Sequence, residues 1–204
     1  ITCILVLKNR GFKKILYYDM DAHYGDGVVE YFKNDPNVLT ISIHQKDLWP
    51  RTGKYEYNEF NNMINLPVNA GFNDQNFYNF FLEDIFFSYI KKFDPEISLL
   101  QMGADCLKDD HMSKLELTNN SMMYAIKKIK TLSKKIILLG GGGYNPYVTL
   151  RAWTYNLATL LNQEKNLELN KEAIQFLQNI DWKTKPKKSW LTTIVDEPNL
   201  FENI

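Results

Sequence analysis

"ILYYDMDAHYGDG", residues 15–27, drives a short uninterrupted apolar run into Asp19, Asp21, His23 and Asp26. Such a run is what a strand buried on both faces of a parallel sheet presents. The same design recurs twice. "SLLQMGADC" (98–106) ends in Asp105, and "IILLGGGGYN" (136–145) ends in four glycines and Tyr144. In open parallel sheets, ligands gather beyond the carboxyl ends of the strands. Three strand ends with unusual chemistry therefore predict one site assembled from distant parts of the chain.

The rest of the pattern agrees with an α/β fold. Residues 1–10 read as the end of a helix closed by Gly11 at C′, "KKILYY" as a strand, and "VLTISIH" (38–44) as a second, β-branched strand. Residues 45–73 carry Pro50, Gly53, Pro67 and Gly71 and read as a loop with at most one short strand, "NMINLPV". Tyr78, Phe81, Leu82, Ile85, Phe86, Tyr89 and Ile90 recur at helical spacing, predicting one amphipathic helix from Asp74 to Phe93 that Asp94-Pro95 ends. "EISLLQM" is the next strand. Thr118 or Asn119 caps a helix through Leu132, with Met122, Ile126 and Ile129 on one stripe. "KKIILL" is a strand, followed by a helix from about Val148 to Leu161. The stretch 163–204 holds a helix around Glu172 to Asn179 and an irregular tail with "KTKPKK". Helices alternating with short apolar strands imply a mainly parallel sheet in a single domain over residues 1–204.

Composition narrows the class. Apolar residues make up 45% and acids and bases balance at 24 each, which supports a core and argues against a nucleic-acid or membrane-surface protein. No apolar run approaches the ~20 residues of a membrane span. Cys3 and Cys106 form no disulfide framework, which suits a reducing, cytoplasmic setting.

Asp21 and His23 from one strand end and Asp105 from another make a three-ligand O,N set with an open position, which suits Zn²⁺ or Fe²⁺. A plainer reading has the acids capping turns while His23 packs. A Ca²⁺ loop is a third: Asp19, Asp21 and Glu30 fall at positions 1, 3 and 12, but Tyr24 occupies the position that needs Gly. The glycines alone read equally as a tight turn or as room for a substrate beside Tyr144, whose hydroxyl could serve a developing oxyanion.

"YYDMDAHYGDGVVEYF", "VLTISIH", "WPRTG", "LLQMGADCLKDDHMSKLELT" and "LLGGGGYNPYVTLRAWTY" follow one another as in the histone deacetylase family, and the chain resembles its bacterial, acetoin-utilisation-like branch. The resemblance covers about residues 11–161. It implies a three-layer arginase/deacetylase-like α/β fold and a zinc-dependent amidohydrolase that removes acetyl groups from lysine of proteins. It implies metal on Asp21, His23 and Asp105, and Tyr144 as the catalytic oxyanion donor. It implies a structural monovalent cation (K⁺ or Na⁺) at Asp19, Asp21, His23, Ser42 and Ile43. Trp49 and Met112 would line the acyl-lysine tunnel and its rim, with Gly142 and Gly143 as its glycine wall. Acetylated polyamines or other small amides are alternative substrates, an inactive metal- or acyl-lysine-binding module is the alternative function, and a homo-oligomer is compatible.

Three departures stand out. Tyr24 replaces a frequent second His, and Arg51 replaces a usual Gly, charging the tunnel mouth. The family's general base belongs to a tandem His pair, whereas this sequence has only His23, His44 and His111. His44 is expected to be structural and His111 to lie near the rim. The chain starts without Met, and the expectation is that the His pair lies upstream of Ile1, making this the C-terminal part of a deacetylase domain.

Overall fold

The computed structural model describes residues 1–58, 62–82, 85–165 and 167–201. Its centre is a six-stranded sheet in the order β3-β4-β2-β1-β5-β6. The strands are β1 (Ile15–Asp19), β2 (Val38–Gln45), β3 (Glu56–Asn58), β4 (Met63–Val68), β5 (Ile97–Gln101) and β6 (Ile136–Leu139). All neighbours are parallel except β3, which pairs antiparallel with β4 at one edge.

The uninterrupted apolar runs follow from burial on both faces. Leu16, Tyr18, Leu39, Ile41 and Leu100 point into the larger core, while Ile15, Tyr17, Val38 and Leu99 point into the smaller one. Helix α1 (Thr2–Asn9) and helix α2 (Asp26–Phe32) close the smaller core through Ile4, Leu7 and Phe32. The larger core is covered by α3 (Asp74–Leu82), α4 (Ile85–Phe93), α5 (Asn119–Leu132) and α6 (Pro146–Leu160). The result is three layers. No helix among the described residues is long and apolar enough to cross a membrane.

Local chemistry sets the element ends. Gly11 adopts φ +94° and donates to Lys8 O, so the predicted C′ closure of α1 is in place. Thr118 caps α5 by accepting from Asn120 N at 3.2 Å, and Met122, Ile126 and Ile129 are fully buried. Helix α6 starts two residues before the predicted Val148, because Asn145 accepts from Tyr147 N and Pro146 fits the first turn.

The helix expected from Asp74 to Phe93 is described over Asp74–Leu82 (α3) and Ile85–Phe93 (α4); residues 83–84 between them, and the side chains of Phe81, Leu82, Ile85 and Phe86, lie outside the described residues. Other expectations need correction. The 45–73 segment holds two strands instead of one, since β3 is too short to display an alternating pattern. Helix α2 had no expectation at all. The 163–204 stretch carries α7 (Lys171–Asn179), capped by Asn170, and then docks: Leu177, Trp190, Ile194 and Phe201 are buried. Phe201 stacks on Tyr124 with ring centroids 4.7 Å apart, and Trp190 on Tyr147 at 5.9 Å.

Candidate metal centre

Strand β1 ends at Asp19 and the chain bends at Ala22 and His23, so Asp21 and His23 lie beyond the carboxyl edge of the sheet. Next door, β5 ends at Gln101 and a 3-10 turn, Ala104–Cys106, carries Asp105. The two segments meet at His23. Its Nδ1 lies 2.9 Å from Asp105 Oδ2 and 3.1 Å from Asp21 Oδ1. One ligand atom from each of Asp21, His23 and Asp105 falls within a 4.8 Å cluster.

Backbone and side-chain donors hold the carboxylates in place. Asp105 is fully buried and accepts Ala22 N at 2.9 Å on Oδ1, leaving Oδ2 toward His23. Asp21 Oδ2 accepts Gln101 Nε2 at 3.0 Å and Gly142 N at 2.8 Å. Burial works against the charged form of Asp21, but these donors and His23 outweigh it and hold its carboxyl below the usual range. Asp105 moves the other way, pushed up to about 7 by burial and then by the charge of Asp21. Two close carboxylates and an imidazole of this kind fit a divalent transition-metal ion, whose charge offsets their mutual repulsion.

The glycine run reaches the same place. A Cβ on Gly142 would run into the Asp105 carboxylate, and one on Gly103 into Asp21. Gly142 O also accepts Ala104 N at 2.5 Å, locking the β6 end against the Asp105 turn. Tyr144 follows, 44% exposed, its phenol pKa raised by partial burial and then by the charges of Asp105 and Asp21. Sequence reasoning missed what holds it. Asp110 is buried, with Oδ2 accepting Tyr144 N and Asn145 N while Oδ1 accepts Met112 N. The ring of His111 lies 6.2 Å from that of Tyr144 and 6.1 Å from Trp182, so the C-terminal segment reaches the rim.

The remaining expected residues are distributed as follows. Asp19 pairs in register with Ser42, next to Ile43, and all three are buried. Asp19 accepts Tyr17 Oη–H at 2.8 Å and Asp21 N at 3.0 Å, and burial followed by the charge of Asp21 pushes its carboxyl up to about 8. Met112 is exposed beside the Asp110 clamp, and Trp49, 74% exposed, stands in the loop after β2. Tyr24 turns away, accepting Asn65 Nδ2 at 2.9 Å and packing on His44. His44 is buried between Ser42 Oγ and Gly53 O, as a structural role requires. The Ca²⁺-loop reading fails, because Glu30 sits exposed on α2 and pairs with Lys33.

Comparison with known proteins agrees with this architecture. The histone deacetylase domain model matches residues 1–160. Histone deacetylase B of Dictyostelium discoideum is 32% identical over 170 residues, covering 80% of this chain and 40% of that protein. Histone deacetylase 8 of Xenopus laevis is 32% identical over 176 residues, covering 81% and 52%. The crystal structure of an HDAC homolog from Aquifex aeolicus superposes with a TM-score of 0.81 at 35% identity, covering 95% of this chain and 55% of that one. An HDAC homolog complexed with SAHA gives a TM-score of 0.82 at 35% identity and the same coverage. The chain thus spans about a third to a half of the length of the curated relatives it matches. With the family model matching most of its length and the arginase/deacetylase fold shared, the chain belongs to the histone deacetylase family.

Proposed function

We propose that the whole protein is a metal-dependent deacetylase of acetyl-lysine in proteins, and that these 204 residues form its metal-binding part. Asp21, His23 and Asp105 would hold Zn²⁺, with Fe²⁺ as the alternative. When bound, such an ion supplies a Lewis acid to a carbonyl oxygen and lowers the pKa of neighbouring water. The observation that carries the reading is the convergence of two carboxylates and one imidazole, from separate strand ends, within 4.8 Å.

The chain's own groups divide the remaining work. Gly142 and Gly143 would form the wall beside the acyl group, their lack of side chains letting the backbone pack directly against Asp105 and Thr149, and the Tyr144 hydroxyl donates to the carbonyl oxygen as it gains charge. Trp49 and Met112 offer exposed apolar surface to the aliphatic part of a lysine. The buried Asp19 and Ser42 would serve a monovalent cation under the site. Proton removal from the attacking water needs a base that none of the three histidines, all among the described residues, is placed to supply. His23 Nδ1 faces two carboxylates, both ring nitrogens of His44 are engaged, and His111 stands exposed at the rim. We place that base outside the 204 residues.

The second reading is a metal- or acyl-lysine-binding module without turnover, in which the same three side chains hold the ion. The full-length protein with an acetyl-lysine peptide separates the two. Turnover is expected, and both a chelator and Asp105→Ala abolish it; turnover that survives both ends the deacetylase reading. A correctly folded, metal-loaded protein that binds the peptide without cleaving it establishes the second.

A further inference from the structure

The loop after β2 forms a hollow of about 560 Å³ lined by Lys46, Arg51, Gly53, Lys54 and Tyr55, with Asp47 its one acid. Lys46, Arg51 and Lys54 are all exposed, and none forms an ion pair among the described residues. Lys114 joins the same edge, exposed, its backbone N–H donating to Gln45 Oε1 at 2.5 Å. A protein with balanced acids and bases here sets three cations against Asp47 alone.

The position of the hollow matters more than its charge. It lies at the carboxyl end of β2, the same edge of the sheet from which β1 and β5 deliver Asp21, His23 and Asp105. Gly53 anchors the loop to the sheet edge: its carbonyl accepts His44 Nε2–H at 2.8 Å, and a Cβ there would strike the Tyr24 ring. Tyr24 follows His23 directly. Gly53, on the wall of the hollow, thus packs on the ring of the residue next in sequence to His23, and the exposed ring of Trp49 stands in the same loop. Arg51 occupies φ +66°, where a glycine would be easier, so the loop carries a cation at some conformational cost.

We propose that this hollow binds acidic side chains that flank the acyl-lysine in the substrate, making the protein selective for acetyl-lysine in an acidic peptide context. The acyl-lysine part rests on the deacetylase reading above; the charge selectivity does not. An excess of cations beside a binding site raises the local concentration of an anionic partner and disfavours a cationic one. A lysine whose neighbours are glutamates or aspartates meets Lys46, Arg51 and Lys54, whereas a lysine among arginines is repelled.

The test uses the full-length protein and fluorescein-labelled peptides that carry one acetyl-lysine and differ only in flanking Glu, Ala or Lys. Binding is read by anisotropy, without turnover. At about 50 mM salt the Glu-flanked peptide is expected to bind about tenfold more tightly than the Lys-flanked one, and the ratio should collapse toward unity at about 500 mM. The Lys46→Ser, Arg51→Gly, Lys54→Ser triple variant, checked by thermal melting, should lose the ratio at low salt. A Glu-flanked peptide with acetyl-lysine replaced by glutamine should keep the salt dependence, which keeps this proposal apart from the chemistry. No preference for Glu, or a preference that survives the triple substitution, overturns the proposal. A preserved preference with no cleavage of any peptide counts against the deacetylase reading alone.

Discussion

Asp110 is bonded to the backbone of Tyr144: its Oδ2 accepts the Tyr144 N–H at 2.6 Å and the Asn145 N–H at 2.9 Å. Its other oxygen accepts Met112 N at 2.9 Å, so one buried carboxylate joins the rim loop to the turn that opens α6. Hydrogen bonds to a charged acceptor contribute more than neutral ones, and three orphaned N–H groups are costly. Asp110→Ala is therefore expected to lower stability by about 2–4 kcal/mol. Urea unfolding followed by circular dichroism measures this, and a loss below about 0.5 kcal/mol, the scale of an ordinary surface change, would show that the clamp carries no weight.

Metal binding can be measured on these 204 residues without any turnover assay. Equilibrium dialysis against Zn²⁺ should give one ion per chain, and Asp21→Ala, His23→Ala and Asp105→Ala should each lose it. Because an ion held by the folded state stabilises it by mass action, Zn²⁺ at a hundred times its Kd should add about 2.7 kcal/mol. The same addition to Asp105→Ala should leave the melting temperature unchanged. Equal stabilisation of both proteins would place the ion elsewhere.

These predictions rest on contacts of two kinds, and only one kind was legible beforehand. The apolar runs of β1, β2 and β5 advertise themselves because both faces are buried, and their shared carboxyl edge brings Asp21, His23 and Asp105 together. Helix α2 was invisible because it is seven residues long, has no side-chain cap and buries only Val29 and Phe32. Strand β3, with three residues, offers no period to count. The Asp110 clamp and the approach of Trp182 to His111 join segments far apart in sequence through backbone donors and ring edges, which leave no trace in spacing. The resemblance motif contained Asp110 but carried no role for it.

Two glycines make a paired test of close approach. Gly142 lies against Asp105, where a methyl group would collide with the carboxylate and push Gly142 N away from Asp21 Oδ2. Gly142→Ala is expected to cost about 1–3 kcal/mol and to weaken Zn²⁺ binding. Gly27, in the first turn of α2, has open space around the same position. Gly27→Ala should stabilise the protein by up to about 1 kcal/mol through helix propensity. Thermal melts of the two variants should move in opposite directions. Equal shifts would remove the argument that the glycine run is shaped by the metal cluster.

The C-terminal tail is tied to the domain by a buried charge. Arg151 is only 3% exposed on α6, pairs with Asp196 at 2.7 Å, and donates to Thr193 O and Val195 O, each at 3.2 Å. Asp196 in turn accepts Asn119 N at 3.2 Å at the start of α5. Removing one partner of such a pair leaves the other charge buried, which costs about 3–5 kcal/mol in fully buried cases. Asp196 keeps some contact with solvent, so Asp196→Ala is expected to cost less than that, about 2–3 kcal/mol. Arg151→Met, which removes the buried charge and keeps apolar volume over Trp190, should cost less than Asp196→Ala. The double variant should be no less stable than Asp196→Ala alone, since the orphaned guanidinium is then absent. A double-mutant cycle by urea unfolding decides it: additive losses would mean that Arg151 and Asp196 stabilise the tail independently, and the pairing argument would fall.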